Sequence, residues 1–220
     1  MPRKKLKRYE ELKTFPNVLF EPKGIQGQWR ERVFENHYPI ILELGCGKGD
    51  YTLSLGKIYP DNSFIGMDIK GARLWKGAGN ALQAELKNVR FLQGYIDHLL
   101  EYFGESEVDE IWITFPDPYP LKGDAKKRLT SPRFLERYVP ILRPGGIVHL
   151  KTDDRDLYEY TKETLKDLGL EIVDNQEDIY EKGTPDGALA IQTYYEKKHL
   201  AVGRTISHIA WKMDNYPKQS

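Results

Sequence analysis

The residues of this 220-residue chain best placed to do chemistry are two acids and a run of alternating glycines, Glu43 to Gly49 (ELGCGKG) and Asp68. Gly45, Gly47 and Gly49 alternate with Cys46 and Lys48, so the backbone can turn sharply and approach a ligand with no Cβ in the way. Asp68 follows roughly 20 residues later, where an acid at the end of a second strand accepts hydrogen bonds from both hydroxyls of a ribose. A dinucleotide fingerprint would need a small residue at position 50, which is Asp50, and Glu43 just ahead of the turn suits a cationic ligand better than a pyrophosphate. A second chemical stretch is Phe115 to Pro120 (FPDPYP), where three prolines fix φ and stiffen the backbone around Asp117 and Tyr119.

The elements that must carry these residues can be read from the pattern. Ile40 to Leu44 is a short apolar run typical of a parallel strand covered on both faces. Leu53 to Ile58 reads as helix and Ser63 to Met67 as the next strand, closed by Asp68. Ala72 to Leu86 is helical, with Leu74, Ala78, Leu82 and Leu86 on one side. Val89 to Leu92 is the third strand and leads to Tyr95, Ile96 and Asp97, the last placed to cap a helix over Leu99 to Phe103. Val108 to Thr114 is the fourth strand, with FPDPYP at its carboxyl end, where open α/β sheets put their chemistry. Ser131 is expected as the N-cap of a helix to Leu142, with Pro132 at its first position. Ile147 to Leu150, a helix over Leu157 to Leu168, a strand from Leu170 and an edge strand over Ile206 to Trp211 complete the alternation. Gln28 to Glu35 reads as a short helix whose Trp29 and Phe34 pack inward. Together these call for an α/β, doubly wound, Rossmann-like sheet with helices on both faces.

Lys and Arg balance Asp and Glu, 33 each, but the charges are sorted into blocks. Met1 to Lys13 carries six Lys or Arg against two Glu, and Pro120 to Arg143 carries seven against two acids, whereas Asp153 to Glu181 has eleven acids and three bases. A neutral chain sorted in this way can present a basic face to phosphate. Residues 1–16 read as a mobile basic arm and residues 17–220 as a single domain. Cys46 is the only cysteine, so a disulfide scaffold is excluded, and it reads as a packing residue beside the turn. The five histidines show no ligand spacing, so no metal is expected. No apolar run approaches membrane length, and the chain is expected to be soluble and cytoplasmic, with no membrane partner.

ELGCGKG resembles the first motif of the S-adenosylmethionine-dependent methyltransferases. In that family the Glu43 position lies near the methionine end of the cofactor, Asp68 holds the ribose, and Tyr95 and Ile96 flank the adenine. FPDPYP, the Lys126-Lys127-Arg128-Leu129 run, Arg143 to Gly146 (RPGG), Thr152-Asp153, and Thr193 to Glu196 (TYYE) followed by Gly203 resemble, in order and spacing, the bacterial tRNA guanine-N7 methyltransferases. The likeness extends from Lys13 onward. It implies a seven-stranded sheet and methyl transfer from S-adenosyl-L-methionine to N7 of a variable-loop guanine in tRNA. It also implies Asp117 as the catalytic carboxylate, touching the cofactor as well, with Lys122, Asp153, Thr193 and Glu196 binding substrate. The sequence departs from the family at Tyr119 (usually Trp), at Asp68 (usually Glu), near Tyr95 (an acid is missing) and at Lys122, one place after the expected base.

Guanine N7 is an in-plane lone pair, unprotonated at neutral pH, so attack on a methyl group needs alignment rather than a general base. An aspartate that orients the base through its N1 and N2 hydrogens also stabilises charge developing on the ring. Two other readings stay open. A methyltransferase acting on an exocyclic amino group of a base would use a loop like DPYP but not the remaining motifs, and a non-catalytic RNA-binding module would not need the acids. Asp153 reads equally well as a helix cap. Monomer and homodimer are both compatible with the sequence.

Overall fold

The computed structural model describes residues 2–217; Met1, at the head of the expected arm, and positions 218–220, at the end of the expected domain, lie outside it. One sheet organises the chain, from strands β1 (Val18–Phe20), β2 (Ile40–Leu44), β3 (Ser63–Asp68), β4 (Val89–Gln93), β5 (Val108–Thr114), β6 (Leu142–Thr152), β7 (Ile172–Gln176) and β8 (Ser207–Lys212). Their spatial order is β1-β4-β3-β2-β5-β6-β8-β7. Neighbours from β1 to β6 pair parallel, and β8 runs antiparallel to both β6 and β7. The sheet has eight strands rather than seven, because Val18–Phe20 adds itself to β4.

Alternation along β2 splits the core in two. Ile40, Leu42 and Leu44 face one cluster, with Phe134, Leu135 and Tyr138 of helix α5 (Pro132–Ile141) and Leu157 and Tyr158 of α6 (Arg155–Asp167). Ile41 faces the other, built by α2 (Asp50–Ile58) and α3 (Gly71–Gln83). Residues i and i+2 of a strand share a face, so a continuous apolar run buries both sides. The chain winds outward from β2 to β3 and β4, then crosses to β5 on the opposite side of β2. The crevice between the ends of β2 and β5 is therefore the topological switch point.

Two further elements differ from the sequence reading. The stretch read as a mobile arm forms helix α1 (Pro2–Leu12), docked on the domain. Leu12 is fully buried, the Tyr9 ring meets Phe20 edge-on at 6.3 Å, and the Arg8 guanidinium lies 4.8 Å from the centre of the Trp75 ring. A Cβ on Gly71 would sit 2.7 Å from Tyr9, so that glycine makes the docking possible. A predominantly charged helix with only Tyr9 and Leu12 turned inward gives little periodic signal. The second is β8, expected at an edge but inserted between β6 and β7 with Ser207 to Trp211 all buried. The polar His208 produced the edge-like alternation. Its imidazole is satisfied internally, with Nε2 3.1 Å from His149 Nδ1 and Nδ1 2.8 Å from Asp174 Oδ2. Burial pushes the His208 pKa down to about 4.

Glu107 ties the N-terminal entry to the sheet, accepting from the backbone N–H of Gly27 (2.7 Å), Trp29 (2.8 Å) and Gly104 (2.8 Å). Glu107→Ala strands these donors, and unfolding by urea is expected to show a loss of about 3 kcal/mol; a loss within about 0.5 kcal/mol would show that water replaces the carboxylate.

Candidate active site

The predicted chemical residues converge at the carboxyl ends of β2 to β6, in two adjoining cavities of about 360 and 290 Å³. Both are walled by Gly45, Arg73, Phe115, Pro116 and Asp117. The first adds Glu43, Gly47, Thr114, Asp153, Thr193, His199 and Arg204; the second adds Asp68, Tyr95, Ile96 and Lys127. A larger cavity of about 730 Å³ beneath β7, around Asp174 to Ile179, contains none of the motif residues.

The glycines divide the work. Gly45 (φ 73°) and Gly47 (φ 59°) are left-handed, and a Cβ on Gly47 would meet nothing within 4 Å, so the turn leaves free space above the strand ends. Gly49 lies outside both cavities, contrary to the expectation that it approaches a ligand. It precedes α2 with φ 70°, and a Cβ there would sit 2.5 Å from the Phe91 ring, so its role is packing. Cys46 packs beside the turn as expected; burial raises its thiol pKa well above the usual value, which leaves it a poor nucleophile.

Asp68 ends β3 and accepts from Gly47 N (2.9 Å, Oδ2) and Lys70 N (2.7 Å, Oδ1). Each oxygen keeps a lone pair, enough for the two hydroxyls of a ribose. Glu43, pointing from β2 beneath the same turn, is buried and accepts from Thr52 N (2.9 Å), the Thr52 hydroxyl and Thr114 Oγ1 (2.7 Å). Desolvation outweighs these donors and raises its pKa to about 7.

The Asp117 loop is held from both sides. Phe115 N donates to Lys151 O (2.8 Å), and the buried Arg128 donates to Pro118 O (3.0 Å) and Tyr119 O (3.0 Å) while lying 4.2 Å from the Tyr160 ring centre. Arg128, read in sequence as part of an RNA-facing cluster, is thus a loop clamp. Phe115 (φ 48°) and Tyr119 (φ 46°) are both left-handed, a strain on the order of 1–2 kcal/mol each that the clamp sustains. Asp117 between them is exposed and makes no side-chain hydrogen bond among the described residues.

Other placements differ from the sequence reading. Asp97 does not cap helix α4 (Leu99–Tyr102); it pairs with Arg133 and with Arg137 (3.6 Å) on α5. Ser131 stands at the N-cap of α5, but its hydroxyl turns to Lys126 O (3.2 Å). The cap of α6 is Asp154, whose Oδ1 accepts from Leu157 N (2.7 Å), and Asp153 is left in the cavity wall, paired with Arg204 and with His199 Nδ1 (3.1 Å). Lys122 is exposed and lines neither cavity; Lys127, 2.8 Å from Asp124, lines the second. Thr193 lines the first cavity and caps helix α7 (Tyr194–Ala201), accepting from Glu196 N (3.2 Å). Glu196, expected to bind substrate, is fully buried and lines neither cavity, paired with Lys151 at 2.8 Å. Arg73, Thr114, His199 and Arg204 also line the cavities; only Thr114, a polar residue after the apolar Ile111-Trp112-Ile113 run of β5, carries a signal in the sequence.

The acid at the end of β3, the left-handed glycine turn after β2 and the buried acid beneath it fit the cofactor of a class I S-adenosylmethionine-dependent methyltransferase. A family model described as "Putative methyltransferase" matches residues 37–209. The chain is 44% identical to the tRNA (guanine-N(7)-)-methyltransferase of Bacteroides fragilis over 217 residues, 95% of this chain and 85% of that one. It is 46% identical to the enzyme of that name from Porphyromonas gingivalis, over 91% of this chain and 86% of that one. In fold it is similar to the 16S rRNA methyltransferase KamB, with a TM-score of 0.61 at 14% identity over 82% of this chain and 90% of that chain. The chain belongs to the tRNA (guanine-N(7)-)-methyltransferase family.

A sulfonium cation near Glu43 would favour its ionised form, so cofactor binding should release a proton while Glu43 is still protonated, below a pKa of about 7. Calorimetry should therefore show S-adenosylmethionine binding tightening by up to about tenfold from pH 6 to pH 8. Glu43→Gln should flatten the profile; an unchanged pH dependence in that variant would contradict the link.

Proposed function

We propose that the two cavities form one methyl-transfer groove acting on N7 of guanine 46 in the variable loop of tRNA. The observation that carries this reading is the position of Asp117, which stands in the shared wall between the Asp68 side and the Asp153–Thr193 side. S-adenosylmethionine supplies an electrophilic methyl group. Asp68 binds the ribose, Tyr95 and Ile96 cover the adenine, and Glu43 lies under the methionine end. The guanine enters on the other side, within reach of Asp153 and Thr193.

The remaining work is alignment. N7 already carries its lone pair, so no proton must be removed before attack, and the ring becomes cationic as the new bond forms. Asp117 accepts hydrogen bonds from the base edge and supplies negative potential, and its preset loop means little reorganisation accompanies the reaction. Asp153 becomes available to the base when its contacts with Arg204 and His199 give way. Lys48, Arg73, Lys127 and Arg204, cations on the cavity walls, meet the phosphates, so tRNA binding weakens with salt.

Asp117→Ala should lower kcat/KM for unmodified tRNA by about 10²- to 10³-fold, a far larger effect than on S-adenosylhomocysteine affinity. The product nucleoside should be 7-methylguanosine, and a transcript with adenine at position 46 should accept no label. A product other than 7-methylguanosine, or wild-type turnover by Asp117→Ala, would overturn the proposal.

A further inference from the structure

The wall of the groove carrying Thr193, Tyr195 and His199 comes from a segment that leaves the sheet after β7 and returns as β8. Its attachment runs through one side chain. Lys151, next to the end of β6, is fully buried, and its ammonium donates to Leu189 O (2.8 Å) and Ile191 O (2.9 Å) and meets Glu196 Oε1 at 2.8 Å. All three of its protons are thereby used. Tyr180 donates to the same Glu196 oxygen (2.7 Å), and Tyr51 donates to Ala188 O (2.9 Å). The backbone carbonyl of Lys151 meanwhile accepts from Phe115 N (2.8 Å). One residue thus touches the Asp117 loop through its main chain and the opposite wall through its side chain.

We propose that Lys151 is a positioning residue that sets the Thr193–His199 wall in register with the Asp117 loop, and thereby fixes where the nucleobase sits. The proposal rests on the reading above that this wall receives the guanine. Burial alone lowers the Lys151 pKa, and Glu196 opposes that shift. A buried pair of this kind is poor evidence of a stability role, because apolar residues of similar volume often do as well. Its geometry, two carbonyls and a carboxylate drawn from one short segment onto one ammonium, is what fixing that segment requires. Asp68 and Tyr95, on the opposite side of the groove, touch none of it, so cofactor binding should be independent of the clamp.

The test is Lys151→Met beside Tyr180→Phe, which removes the hydrogen bond to Glu196 (2.7 Å) and the one accepted from Gln192 Nε2 (3.2 Å) but leaves the ammonium and its three contacts in place. For Lys151→Met, the KM for tRNA should rise at least about tenfold while S-adenosylhomocysteine affinity stays within about twofold, rates being counted per folded enzyme. Amide exchange across residues 187–193 should speed up by about tenfold or more while that of β2 and β3 stays unchanged. Tyr180→Phe should show the same pattern more weakly, and it decides the matter if Lys151→Met does not fold. A lower melting temperature with KM and local exchange unchanged, or exchange faster everywhere alike, would overturn the proposal. If the wild type makes no 7-methylguanosine, the reading of the wall as a guanine site fails on its own, while exchange still decides whether the clamp exists.

Discussion

The interaction on which the rest of the site depends is the carboxylate of Glu43 buried beneath the glycine turn. It lies in β2 and is bonded to Thr52 of α2 and Thr114 at the end of β5, so it joins the three elements that meet at the switch point. Burying a carboxyl in this way is expensive, and its pKa near 7 records the cost. Apolar residues could join the same elements without that penalty. An acid there makes physical sense as the counter-charge of a cation bound above the turn, which is its place in the proposed reading. The turn is then steadied from the other side by Asp68, which accepts from Gly47 N.

The opposite bank of the groove is organised differently, by strain and clamps. Phe115 and Tyr119 adopt left-handed backbone that neither residue favours, and Arg128 and the Lys151 carbonyl hold them there. Such strain persists only where surrounding structure over-determines it. The outcome is an exposed carboxylate at a fixed point between two cavities, on a loop that need not reorganise to act. A reaction that requires alignment rather than proton removal asks for a site of this kind.

Much of this was legible in the chain. The apolar run of β2, the glycines and the acid ending β3 specified the fold and the turn that walls the cavities, because strand burial and left-handed turns restrict residue type at each position. Side-chain partners across the fold were not legible. Asp153 and Asp154 are adjacent acids before a helix, and only the geometry assigns the cap to Asp154. Arg128 sits in a run of bases that reads as solvent-facing, yet it is buried by a loop ten residues earlier. Glu196 reads as a groove residue from its motif, and its turn inward depends on Lys151, 45 positions away. Helix α1 escaped notice because two inward side chains and one glycine on α3 suffice to dock it.

The most direct test of the account is a crystal structure with S-adenosylhomocysteine. The account predicts the ribose hydroxyls within hydrogen-bonding distance of Asp68, the adenine against Tyr95 and Ile96, and the sulfur over Gly45 on the side facing Asp117. A nucleoside bound away from Asp68, or a sulfur pointing away from Asp117, would contradict it.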